Sequence, residues 1–220
     1  VSDVAHVMSR LSDIIVIRTF LQSTIEEFAA NASVPVINAL TDHEHPCQAL
    51  ADVLTITEEL GTVAGGKVAF IGDGNNVALS LGYAVAGLGG QLKIASPDGY
   101  KLSSDSLDGA NAYGEHAGGS VDQVSNPLEA VANADIVYTD VWTSMGQETE
   151  SDERLKAFEG YQVNPGILDE ASPNVKFMHD LPAHPGEEIS DGLLYDPRSI
   201  VFDQAENRLW AQAALMEKLV

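Results

Sequence analysis

A chain of 220 residues with 45% apolar side chains can bury a sizeable core in one or two domains, which excludes a disordered chain. Its 33 acidic and 11 basic side chains give a formal net charge of −22, which argues against nucleic acid or anionic membrane as partners. Solvated acidic faces account for this excess without a cationic substrate, and with so few Lys it is the composition expected of adaptation to high salt.

The chain begins without Met, directly in a helical pattern and with no secretory leader, so an upstream part is expected to be missing. Val4, Val7, Met8 and Leu11 recur at helical spacing. Asp13 to Arg18 holds the short apolar run Ile14–Ile17 of a buried strand, ending on Arg18. Ser23 or Thr24 is the expected cap of a helix through Ala30. Val34 to Leu40 is a strand, and Pro46 to Leu60 a helix. Gly61 to Gly66 is the best internal boundary. Lys67 to Ile71 (strand), Val77 to Leu88 (helix) and Gln91 to Ala95 (strand) follow. Leu102 to Gly119 reads as a weak helix with loop. Ser120 to Val124 is a strand, Pro127 to Ala132 a helix and Asp135 to Thr139 a strand. Asp140 to Glu148 is polar and irregular. Short helices at Asp152–Phe158 and Pro165–Glu170 precede a strand at Val175–Met178. The last helix runs from about Gln204 to Leu219, with Leu209, Ala213, Met216 and Val220 on one face. Strands alternating with helices argue for two parallel-sheet α/β units, the first incomplete, with the last helix returning to it. The expected division is 1–60, 61–200 and 201–220. No apolar run approaches the roughly 18 residues of a membrane span. The single Cys47 allows no internal disulfide and fits a reducing cytoplasm.

Polar corners follow several of these strands. Parallel strands converge at their carboxyl ends, where ligands bind. Asp42-His43-Glu44-His45-Pro46-Cys47-Gln48 is such a corner. Pro46 suits a first helical turn, whose free N–H groups and dipole favour an anion. His45 and Gln48 add donors. Arg18, Asn75-Asn76, the segment from Asp140 through Ser144 and Met145 to Gly146, and His179-Asp180-Leu181-Pro182 are the others. Gly72-x-Gly74-x-x-Val77 lacks the third Gly of a dinucleotide fingerprint, so a tight turn is preferred to nucleotide binding. His43-x-His45-x-Cys47 matches no usual zinc spacing, so neither metal nor cofactor is expected. Asp140 with Ser144 reads either as a turn cap or as a grip on an amino acid. Arg208 reads as a surface ion pair unless its helix packs back onto the first sheet.

The segments His45-Pro46-Cys47-Gln48-Ala49-Leu50-Ala51-Asp52, Gly72-Asp73-Gly74-Asn75-Asn76, Asp140 to Glu148, and Phe202-Asp203-Gln204-Ala205-Glu206-Asn207-Arg208 occur in order over essentially the whole chain. Together they resemble the ornithine carbamoyltransferases. The Ser144-Met145-Gly146 element separates these from aspartate carbamoyltransferases. The resemblance implies carbamoyl phosphate and L-ornithine as partners and a homotrimer or multiple of trimers. It implies that Arg18, His45, Pro46, Cys47, Gln48, Asp180, Leu181 and Arg208 hold carbamoyl phosphate. Asn76, Asp140, Ser144 and Met145 would hold ornithine, with His45, Arg18 and Asp180 at the reacting atoms.

Two departures accompany the resemblance. The 220 residues include no Ser-Thr-Arg-Thr phosphate loop and no Gln of the kind a neighbouring subunit supplies. The chain alone is therefore expected not to turn over. Asp180 also stands where the family has Cys in a His-Cys-Leu-Pro segment. A carboxylate there favours the ammonium form of an attacking amine, or accepts its proton as a base. Two other readings remain open, a carbamoyltransferase for another amine and a non-catalytic amino-acid-binding module.

Overall fold

A computed structural model describes residues 1–143 and 148–220. In chain order these form α1 (Ser2–Met8), β1 (Ile15–Arg18), α2 (Gln22–Asn31), β2 (Val36–Leu40), α3 (Pro46–Leu60), β3 (Lys67–Ile71), α4 (Asn76–Gly87), β4 (Gln91–Ala95), α5 (Ser104–Gly114), β5 (Ser120–Val124), α6 (Pro127–Val131), β6 (Ile136–Thr139), α7 (Ser151–Ala157), α8 (Pro165–Asp169), β7 (Lys176–His179) and α9 (Val201–Leu219).

Two parallel sheets result. The smaller pairs β1 with β2 from Ile15↔Val36 to Arg18↔Leu40, and Ile15, Phe28 and Ala5 bury a small core beside it. The larger has the order β5-β4-β3-β6-β7. Its side chains alternate between two apolar layers. Val68 and Phe70 join Leu92, Ile94, Tyr138 and Met178 on one face, while Ala69 and Ile71 join Val137, Phe177 and Leu168 on the other. Burial on both faces is why these strands read as continuous apolar runs. The strand order reverses between β3 and β6, so the chain leaves these neighbours toward opposite faces and opens a crevice at their carboxyl ends.

Local chemistry fixes the ends of several elements. Asn75 caps α4, its Oδ1 accepting from the N–H groups of Val77 (3.0 Å) and Ala78 (3.1 Å). Gly61, at φ 80°, ends α3 in the left-handed conformation that glycine adopts without strain. A Cβ at Gly74 would stand 2.4 Å from the Leu102 nitrogen, so the corner after β3 closes only on glycine. That requirement explains a glycine the sequence shares with nucleotide-binding turns.

Three expectations are corrected. Neither Ser23 nor Thr24 caps α2. The helix starts at Gln22, whose N–H donates to Asp42 Oδ1 at 2.9 Å, so the cap comes from the far side of the β2 corner. In α1 only Ala5 is buried, and Val4, Val7 and Met8 are exposed. The last helix begins at Val201 and buries Val201, Gln204 and Asn207, leaving Leu209, Met216 and Val220 exposed. The apolar periodicity misleads there because α9 meets a polar stripe of α3. Asp52 and Thr55 of α3 are fully buried, and hydrogen bonds from Gln204 and Asn207 join the two helices there.

Candidate active site

The carboxyl ends of both sheets converge where Arg18, after β1, and Asp180, after β7, come within electrostatic reach of His45, and the space these residues border is the candidate cleft. Three side-chain hydrogen bonds cross between the sheet units beside it. His45 N–H donates to Ser80 Oγ (2.8 Å), Asn76 Nδ2 to the Thr41 carbonyl (2.8 Å), and the Tyr138 hydroxyl to Asp52 Oδ2 (3.2 Å). Asn76, an expected ligand residue, thus commits one of its two amide N–H donors to the joint between units.

His45 ends the β2 corner and directly precedes α3, with Pro46 in the first turn. Its side chain is buried and Nδ1 has no hydrogen-bond partner among the described residues. Burial, with the cations Arg208 and Arg18 nearby, lowers its pKa to about 4, Asp180 opposing this. The ring is therefore neutral near pH 7 and able to donate to a carbonyl or phosphoryl oxygen. Arg18 is exposed at the end of β1. Arg208 reaches the same place from α9 and donates from Nη1 to Gln48 Oε1 at 2.6 Å. Cys47 faces away, its Sγ directed at the Asn38 carbonyl (3.4 Å), and burial pushes its thiol pKa up. A neutral inward thiol offers an anion little, so Cys47 contributes through its backbone in the first turn of α3.

Behind His45 and Arg208 lies a buried network. Asp52 Oδ1 accepts from Gln48 Nε2 (2.9 Å) and Gln204 Nε2 (2.7 Å). Gln204 Oε1 accepts the His179 N–H (2.9 Å). Burial raises the Asp52 pKa to about 7 despite these donors. The network joins α3, α9 and the end of β7. Sequence reading passed over Gln204 and Asp52; Asp52 at the seventh residue of a helix reads as a solvated charge unless the helix is known to be buried there.

On the opposite wall, Asp140 follows β6. Its Oδ2 accepts from Asn75 Nδ2 (2.8 Å) and its Oδ1 from the Val141 N–H (2.6 Å). Burial and the neighbouring Asp180 hold its carboxyl well above the usual range. Asp180 follows β7, its side chain about 10% exposed, its Oδ1 unpartnered and 3.5 Å from His179 Nδ1. His179 is fully buried. Burial lowers its pKa, but the carboxylates of Asp180 and Glu188 outweigh this and raise it to about 9. Nδ1 also accepts the Leu181 N–H at 2.9 Å, a bond only an unprotonated Nδ1 can make, so this contact opposes the protonation the carboxylates favour; Nε2 lies 3.1 Å from Glu188 Oε1 in either state. Asp180 and the Leu181 amide thus compete for one nitrogen. Leu181 sits at φ 57°, strained for a branched residue and consistent with a carbonyl held to an unusual direction.

Ser144 and Met145 lie outside the described residues. Arg154, missed in the sequence, holds the chain on either side of them. It donates from Nη1 to Asp73 Oδ2 (2.6 Å) and to the Trp142 carbonyl (3.0 Å), and packs over the Tyr100 ring. His43, His45 and Cys47 do not converge on a metal. Among the described residues the grouping of this kind is His184, Glu187 and Glu188.

Residues 64–219 match the aspartate/ornithine carbamoyltransferase Asp/Orn binding domain, and residues 1–58 the carbamoyl-P binding domain of the same family. The ornithine carbamoyltransferase of Bacillus subtilis is 50% identical over all 220 residues, which span 69% of its length. That of Pyrococcus abyssi is 47% identical over the same span. The solved ornithine carbamoyltransferase of Pyrococcus furiosus superposes with a TM-score of 0.94 at 48% identity, covering 100% of this chain and 70% of that one. The chain belongs to the aspartate/ornithine carbamoyltransferase family.

Proposed function

We propose that the cleft is the site of an ornithine carbamoyltransferase, which moves the carbamoyl group of carbamoyl phosphate to the side-chain amine of L-ornithine, giving citrulline and phosphate in arginine metabolism. One observation carries the reading. Arg18, Arg208 and Asp180 lie within electrostatic reach of a neutral His45 at the first turn of α3, and Asp140 lies beside Asp180.

Arg18 and Arg208 neutralise the phosphate, with the free N–H groups of α3 beside them. Neutral His45 donates to the carbonyl oxygen, where charge develops as the amine adds. Pro46, Cys47 and Gln48 shape that turn, and the Leu181 carbonyl accepts from the carbamoyl amide. Asp140 meets the α-ammonium of ornithine, whose charge offsets the burial of the carboxyl. Asn76, Ser144 and Met145 complete that end. The C–N bond forms, the C–O bond to phosphate breaks, and the amine proton leaves to phosphate or to Asp180. Holding both reactants in line is a large rate contribution, and an enclosed cleft protects carbamoyl phosphate from water.

The functional division is 1–60 for carbamoyl phosphate, 61–200 for ornithine and 201–220 returning α9 to the first part. A homotrimer or multiple of trimers, a cytoplasmic setting at high salt, and no nucleic acid or membrane partner complete the reading. Among the described residues no helix is long and apolar enough to cross a membrane.

A substrate panel tests the proposal. Calorimetric binding to the 220-residue chain, and product formation by a full-length version that carries the upstream phosphate loop, are measured with ornithine, putrescine and N-acetylornithine, with and without carbamoyl phosphate. Ornithine is expected to bind best, and more tightly once carbamoyl phosphate is present. A preference for putrescine or acetylated ornithine would reassign the acceptor.

A further inference from the structure

Just beyond Asp180 the chain makes a tight turn. The Gly186 N–H donates to the Ile189 carbonyl (2.8 Å) and the Glu187 N–H to the His184 carbonyl (3.0 Å). The turn is fastened to its neighbours by the Val163 N–H donating to the Glu188 carbonyl (2.8 Å) and by Gln162 Nε2 donating to the Glu187 carbonyl (2.8 Å). His184, Glu187 and Glu188 therefore project from a braced backbone. His184 Nδ1 stands 3.9 Å from Glu187 Oε2 and 4.0 Å from Glu188 Oε2. One ligand atom from each of the three lies within 4.8 Å of the other two.

Glu188 supplies the independent sign of a missing ligand. Its side chain is fully buried. Oε1 accepts from His179 Nε2 (3.1 Å) and from the His184 N–H (2.5 Å), which fixes the carboxylate plane. Oε2 is buried with no hydrogen-bond partner among the described residues, and it points at the His184 ring. An unpaired buried carboxylate oxygen costs free energy unless something positive meets it.

We propose that His184 Nδ1, Glu187 and Glu188 Oε2 bind a divalent transition-metal cation of the zinc class. Imidazole with two carboxylates is a donor set such ions take, with water in the remaining position. Ligands about 2.0–2.2 Å from zinc stand roughly 3.3–3.6 Å apart in a tetrahedron. The two pairs to His184, at 3.9 and 4.0 Å, need to close by a few tenths of an ångström and any pair as wide as 4.8 Å by about an ångström, movements open to the partly exposed His184 and Glu187 side chains. Glu188 would bridge two roles, with Oε2 on the cation and Oε1 orienting His179, as outer carboxylates orient histidines around metal sites. The site is distinct from the cleft but shares that one carboxylate with it.

The test is titration of the 220-residue chain with Co2+ and Zn2+, read by visible absorption and calorimetry. One equivalent of Co2+ is expected to give tetrahedral bands and to be displaced by Zn2+ but not by equimolar Mg2+. His184→Ala and Glu187→Gln, both partly exposed and outside the cleft, should each weaken binding roughly tenfold or more. They should leave the denaturation midpoint nearly unchanged. In the parent chain the Leu181 amide and His179 ring resonances should shift on Zn2+ addition, and in H184A they should not. Binding that survives both substitutions, equal competition by Mg2+, a thiolate charge-transfer band from Cys47, or no binding at all would each overturn the proposal.

Discussion

His45 is where the sequence motif acquires a physical meaning. Its folded pKa of about 4 lies below the ordinary 6.5, because burial and two guanidinium groups disfavour the imidazolium. A group lowered in this way stays neutral in the folded chain while the unfolded chain takes up a proton as pH falls below 6.5. Its contribution to stability is therefore lost between about pH 6.5 and 4. For His45→Gln, the urea-denaturation stability relative to the parent should improve by roughly 2 kcal/mol between pH 7 and pH 5. An unchanged difference would mean that the ring is already charged in the folded state. Asp180 is the other decisive residue. A carboxylate facing the amine end of the cleft holds the amine as its ammonium. In a full-length chain that carries the upstream phosphate loop, Asp180→Cys is expected to raise citrulline turnover about tenfold, the effect of one pKa unit on the reactive neutral amine. A turnover rate that stays flat or falls would make Asp180 a working base instead.

At the scale of elements, ends and joints matter more than interiors. Asn75 caps α4 and also steadies Asp140, so Asn75→Ala removes a cap and leaves a buried carboxyl oxygen unpaired. The cost is about 2–3 kcal/mol in chemical denaturation. If it were only a cap, Asn75→Ser would restore stability fully, and restoration is expected to be partial. Helix α9 makes the same point on a larger scale. Its packed face carries Gln204, Asn207 and Arg208, and its exposed face carries Leu209 and Trp210. Gln204→Leu keeps the volume but leaves Asp52 and the His179 N–H short of partners. We expect a loss of about 2–4 kcal/mol and a weaker response of ornithine affinity to carbamoyl phosphate, since Gln204 joins the two walls. A variant of parental stability would remove the network from the account.

For the whole molecule, the charge of −22 governs how the fold meets its solvent. Mutual repulsion of surface carboxylates opposes compaction, and it is screened over about 10 Å at 0.1 M salt and about 3 Å at 1 M. The melting temperature should therefore climb as NaCl is raised from 0.1 to 1 M. A fall would mean that the attractive pairs Arg154–Asp73, Arg198–Asp169 and Lys176–Glu59 dominate instead.

By itself the sequence determined the alternation of strands and helices, the buried parallel strands and the polar corners that end them. Those signals are local. Apolar runs, glycine turns and a proline at a helix start act within a few residues of themselves. It also carried the family, because His45-Pro46-Cys47-Gln48 and its companion segments are contiguous. Only the tertiary structure decided which face of α9 is buried, that Asp42 caps a helix twenty residues earlier, and that Asp52, Gln204 and His179 form one network. Each depends on partners brought together from distant segments. Whether a glutamine or a carboxylate reads as solvated surface or as a buried joint is set by what packs against it, and periodicity along one helix holds no record of its neighbour.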